Sequence, residues 1–110
     1  MATLRLHSIL CKTTEDSTGA DEPYLLVGNR QVWGSQSMND NEREDLTLVA
    51  NIPFNSSIRL SLYDQDAGWF DNDDFLGSWV IWSGEAGKGM REARFNGDGA
   101  DYTITYEVLP

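Results

Sequence analysis

Ile58-Arg59-Leu60-Ser61-Leu62-Tyr63-Asp64-Gln65-Asp66 alternates apolar and polar residues as far as Tyr63 and then turns acidic. Period-two alternation sets Ile58, Leu60 and Leu62 on one face and Arg59, Ser61 and Tyr63 on the other, as in a strand with one buried side. The acidic end continues: Asp64, Asp66, Asp71, Asp73 and Asp74 place five carboxylates in eleven positions with no basic residue between them. Two like charges 5–6 Å apart repel by roughly 3 kcal/mol at an effective dielectric near 20. Such a loop either splays into solvent or holds a hard cation, and shells of about six to eight oxygens suit calcium.

Along the rest of the chain the same alternation recurs and no helical period appears. Leu4 and Leu6 alternate with Arg5 and His7 in a first strand near 3–10. Tyr24-Leu25-Leu26-Val27 is apolar on both faces, and Gly28-Asn29 turns it into Arg30-Gln31-Val32-Trp33 as a hairpin. Leu46, Leu48, Ala50 and Ile52 predict a fourth strand with one apolar face; Pro53 and Asn55-Ser56-Ser57 then turn the chain into 58–63. Residues 75–82 form a sixth strand, with Trp79 and Ile81 opposite Val80 and Trp82. The glycine-rich turn 84–89, a short strand near 91–96 and a last strand at 101–108 complete the set. Eight short strands separated by turns predict an all-β chain, an eight-stranded antiparallel β-sandwich occupying residues 1–110 as one domain.

The formal charge of −10 across 110 residues argues against direct binding of nucleic acid and implies self-repulsion that cations relieve. Cys11 is the only cysteine and His7 the only histidine, which rules out an intramolecular disulfide and a thiolate or histidine zinc site. The N-terminal residues lack the pattern of a signal peptide, and no run approaches a membrane span. The expectation is a soluble, cytoplasmic protein.

Thirteen of the 18 acidic residues fall in three inter-strand segments. These carry Glu15, Asp16, Asp21 and Glu22; then Asp40, Glu42, Glu44 and Asp45; then the five aspartates above. Alternate connections of a sandwich emerge at the same end, so all three are expected at one pole. Solvated acidic loops and Asp-Asn turn chemistry remain the plainer reading. An EF-hand is excluded, because no glycine and no closing glutamate fall at the required spacing.

Two stretches resemble the calcium-binding signatures of C2 domains, the calcium-dependent lipid-binding β-sandwiches of the synaptotagmin and protein kinase C type. One is Asp16-Ser17-Thr18-Gly19-Ala20-Asp21-Glu22-Pro23-Tyr24; the other is Leu62-Tyr63-Asp64-Gln65-Asp66 followed by Asp74-Phe75-Leu76-Gly77. The resemblance implies a C2-like fold in the permuted (type II) order, where the first ligand loop follows the first strand. It implies one to three calcium ions on Asp16, Glu22, Asp64, Asp66 and Asp74. Glu22 stands where aspartate is usual, which brings in Asp21 as a substitute, and a longer third loop adds Asp71 and Asp73. A phospholipid membrane or a partner protein is the implied target, with peripheral membrane association. The lysine-rich strand that many relatives use for phosphoinositides is missing.

Trp69 and Phe70 lie at the expected tip of the third loop, either to enter a membrane interface once calcium cancels the charge or to fold back over the metal. Trp33, Trp79 and Trp82 read as core or sheet-face packing, and Cys11 as a buried apolar group. No serine, cysteine or lysine has a base beside it in a motif, so the chain reads as a binding module and not an enzyme. The alternative is a non-catalytic interaction or structural module that displays an acidic pole without specific calcium binding.

Overall fold

A computed structural model describes residues 1–15, 19–65 and 73–110. Its strands are β1 (Ala2–Thr13), β2 (Pro23–Val27), β3 (Arg30–Gly34), β4 (Glu42–Asp45), β5 (Ile52–Phe54), β6 (Ser57–Asp64), β7 (Asp74–Trp82), β8 (Met90–Phe95) and β9 (Asp101–Leu109). They form two antiparallel sheets, one in the order β4-β1-β9-β8 with β5 also on β1, the other in the order β3-β2-β6-β7. The expected sandwich is present. Among the described residues, no helix is long and apolar enough to cross a membrane.

The core is built from alternating residues of both sheets. Tyr102, Ile104, Tyr106 and Val108 of β9 face Leu25 of β2 and Leu60 and Leu62 of β6 across the interior. On β1 the buried set changes parity, from Leu4 and Leu6 to Ile9 and Cys11. A bulge between Leu6 and Ser8 supplies the extra residue that shifts it. Cys11 is fully buried, as expected, and desolvation pushes its thiol up to about 11.

The expected fourth strand over Leu46, Leu48, Ala50 and Ile52 needs correction. β4 lies earlier, pairing with Ser8–Cys11, and β5 later, pairing with Ala2–Leu4, so the two are halves of one interrupted edge strand beside β1. That interruption reconciles nine strand segments with eight strand positions. Its cause is local: the Asp45 carboxylate accepts the Thr47 N–H at 2.8 Å, and the Val49 N–H returns to the Leu46 carbonyl at 3.0 Å. This Asx turn drops Leu46 into the core and leaves Leu48 99% exposed. The tryptophans divide: Trp33 packs partly buried against the core, whereas Trp79 and Trp82 are 37% and 57% exposed.

Register sets the acidic pole. Thr13 pairs with Asp101, Pro23 with Asp64, and Asp64 with Asp74, so the ends of β1, β2, β6, β7 and β9 meet at one end of the sandwich. The segment carrying Asp40, Glu42, Glu44 and Asp45 is not the acidic loop expected, because β4 occupies 42–45 and leads Glu44 and Asp45 away from the pole. Asp40 stays near it and accepts the Thr14 N–H at 2.9 Å.

Candidate metal centre

Asp21 continues the inward alternation of Pro23, Leu25 and Val27 and is 1% exposed. Its backbone pairs in both directions with Met38, at 2.9 and 2.8 Å. One carboxylate oxygen, Oδ2, accepts both the Glu15 N–H and the Tyr102 hydroxyl, each at 2.7 Å. Asp64, at the end of β6, is 5% exposed, and its Oδ1 accepts the Glu22 N–H at 2.7 Å. The Gln65 N–H in turn donates to the Glu22 carbonyl at 3.0 Å, so one backbone bond and one bond to the Asp64 carboxylate join the first and third acidic connections.

Carboxylate oxygens gather around Glu15. Glu15, Asp21 and Asp64 each offer an oxygen within 4.8 Å of the others, and so do Glu15, Asp74 and Asp98. Oxygens on opposite sides of a calcium ion, at bond lengths of 2.3–2.6 Å, lie about 4.6–5.2 Å apart. The donors are carboxylates only, a hard set that fits calcium and leaves no role for a soft ion.

The crowding of carboxylates shows in their acidity. Burial, hydrogen bonds to Asp64 and Asp98, and the charges of Asp74 and Asp64 push the Glu15 carboxyl up to about 9. Burial also raises Asp64, against the opposing Glu22 N–H and Glu15 hydrogen bonds. Of the two, Glu15 is the carboxyl whose protonated form its surroundings favour more strongly.

Of the ligand candidates from sequence, the structure brings Asp21 and Asp64 together in one group and Asp74 into the other. Glu22 is exposed and its side chain joins neither group. Asp73 is exposed and accepts the Tyr24 hydroxyl, which burial and that carboxylate hold well above the usual phenol range. Asp16, Asp66, Asp71, Trp69 and Phe70 lie outside the described residues. None of Asp40, Glu42, Glu44 and Asp45 enters a described group.

Sequence reasoning missed Glu15 as a ligand candidate and Asp98 altogether. Asp98 sits in a 3-10 turn, Gly97–Gly99, with a left-handed φ of 54°. The turn is seated on β7: a Cβ on Gly97 would lie 2.8 Å from the Leu76 carbonyl oxygen. Gly97→Ala should push the turn off the strand and cost about 1–3 kcal/mol by urea unfolding. Unchanged stability would show that this contact does not hold Asp98 in place.

The outer face of the second sheet carries an aromatic row beside this pole. Tyr24 stacks on Tyr63 at 5.5 Å, and Tyr63 meets Phe75 at 5.2 Å, with Phe75 half exposed.

No protein-family model and no curated protein matches the chain. Solved structures do. A structure described as that of a C2 domain superposes with a TM-score of 0.60 at 19% identity, covering all of both chains. Human GIVD cytosolic phospholipase A2 gives 0.62 at 15% identity over 98% of this chain and 16% of that one. The C2A and C2B domains of Extended-Synaptotagmin 2 give 0.59 at 21% identity, over 98% of this chain and 39% of that one. This chain thus spans under half the length of the latter two. Shared architecture at such low identity speaks for the fold, and the chain is a C2-like β-sandwich.

Proposed function

We propose that the chain is a calcium-binding module whose acidic pole changes from a proton-sharing cluster to an ordered, cation-loaded surface. The observation that carries this is a pair of carboxylate triads that share Glu15, one with Asp21 and Asp64 and one with Asp74 and Asp98, drawn from three connections at spacings that suit a calcium shell. These five would hold the ion, with Asp16, Asp66, Asp71 and Asp73 as further donors from the same loops. The bound cation supplies positive charge and removes the repulsion among carboxylates. The resemblance to calcium-dependent C2 domains supports this reading.

The module has no catalytic role in this proposal. Its target is a phospholipid surface or a partner protein, met through Trp69 and Phe70 once the surrounding charge is cancelled. Calorimetric titration with calcium tests the binding itself. Saturable heat with one to three ions per chain is expected, and no heat up to millimolar calcium would sink the reading. Co-sedimentation with liposomes tests the target: calcium-dependent pelleting supports the membrane, and its absence turns the proposal to a protein partner.

A second reading has one observation in its favour. Burial and neighbouring carboxylates raise the Glu15 carboxyl, and a proton held there would relieve repulsion without metal and leave the pole's remaining charge for a basic partner. Such an interaction would weaken in high salt and gain nothing from calcium.

A further inference from the structure

Among the described residues Glu15 belongs to both carboxylate groups, so whatever fixes its position governs both. Its side chain leaves a connection that belongs to no strand. Its backbone N–H, however, is bonded at 2.7 Å to Asp21 Oδ2, and that same oxygen is bonded at 2.7 Å by Tyr102 Oη. Tyr102 is fully buried in β9, paired with Cys11 of β1 on one side and Phe95 of β8 on the other. Asp21 is held from a third direction by its two backbone bonds to Met38, itself fully buried.

We infer that Tyr102 is a positioning residue for the carboxylate pole, transmitting the rigidity of the core through Asp21 to the backbone of Glu15. The inference rests on the calcium reading above and extends it to a residue that touches no ion. A buried phenol suits this role, because it donates one directional bond, keeps its proton far above neutral pH, and cannot compete as a charged ligand. Partners of this kind typically change metal affinity by roughly 10–100-fold when removed.

The molecule contains its own control. Tyr106, four residues along the same strand and also buried, donates to Glu85 Oε1 at 2.6 Å beside the 3-10 turn Ser83–Glu85, away from the carboxylate groups. Tyr102→Phe and Tyr106→Phe each remove one Tyr–carboxylate bond and keep the ring. Calcium titrations of wild type and both variants, well below their melting temperatures, should show Tyr102→Phe at least tenfold weaker and Tyr106→Phe within twofold of wild type.

Equal affinity for Tyr102→Phe and wild type would overturn the positioning role and leave the calcium reading standing. Equal weakening of both variants would overturn it too, by showing general softening of the sandwich. A wild-type chain that takes up no calcium would sink both. Should Tyr102→Phe not fold, the wild-type chain provides the test by nuclear magnetic resonance. The Glu15 amide and the buried Tyr102 hydroxyl proton should both shift as calcium saturates, and two unmoved signals would overturn the inference.

Discussion

Saturating calcium should raise the melting temperature of this chain by about 10–20 °C. A ligand that binds only the folded form at a hundred times its dissociation constant stabilises by about 2.7 kcal/mol. In a domain near 100 residues, each kcal/mol moves the midpoint by about 4–8 °C. The source of the gain is visible at the pole. Asp64 and Asp74 face each other across β6 and β7, with Glu15 against both. The mutual repulsion of Asp64 and Asp74 is a cost that the folded, metal-free chain carries and the unfolded chain does not. Paired melts in excess chelator and in millimolar calcium measure the shift, and coincident curves would sink the calcium reading.

The double change Asp64→Asn with Asp74→Asn should abolish that shift. It should also leave the metal-free protein as stable as wild type or more so, because two of the repelling charges are gone. Asparagine at 64 keeps an acceptor oxygen for the Glu22 N–H, so the bond between the first and third connections survives. A variant that is destabilised in chelator would mean that those carboxylates contribute bonds to the fold that outweigh their repulsion.

How much of this was legible from sequence depends on the range of the interactions involved. Strand alternation is local, and β2, β3, β6, β7, β8 and β9 fall close to where it puts them. Failure came at 46–52, where Leu48 and Ala50 keep the period but an Asx turn at Asp45 overrides it. An apolar residue at an exposed turn costs little, so periodicity alone has no means of seeing the break. The inward placing of Asp21 was readable in principle, since it shares parity with Pro23, Leu25 and Val27. The family resemblance puts Glu22 in the ligand position and Asp21 only as its substitute. Asp98 had no such signal. Asn96-Gly97-Asp98-Gly99 reads as a simple turn, and its carboxylate reaches Glu15 only because the turn docks on the Leu76 backbone. Long-range juxtaposition of that kind leaves no mark in spacing.

A calcium ion that displaces a proton from Glu15 would make calcium binding and pH one equilibrium. A carboxyl raised from 4.5 to about 9 on folding binds its proton more tightly in the folded state than in the unfolded one. Metal-free stability should therefore be greatest near the lower end of that interval and decline as pH rises towards about 9, with the raised Asp64 adding in the same direction. That is opposite to the usual acid lability of proteins whose carboxylates are stabilised as anions. Calcium reverses the sign, because a carboxylate must lose its proton to act as a ligand. Apparent affinity should then rise roughly tenfold per pH unit across this window for one proton released. Titrations at pH 6, 7 and 8, each in two buffers of different ionisation enthalpy, count the protons directly. About one proton per chain at pH 7 is the expected result. An affinity independent of pH over that range would mean that Glu15 is already ionised in the metal-free pole, or that it keeps its proton when calcium binds.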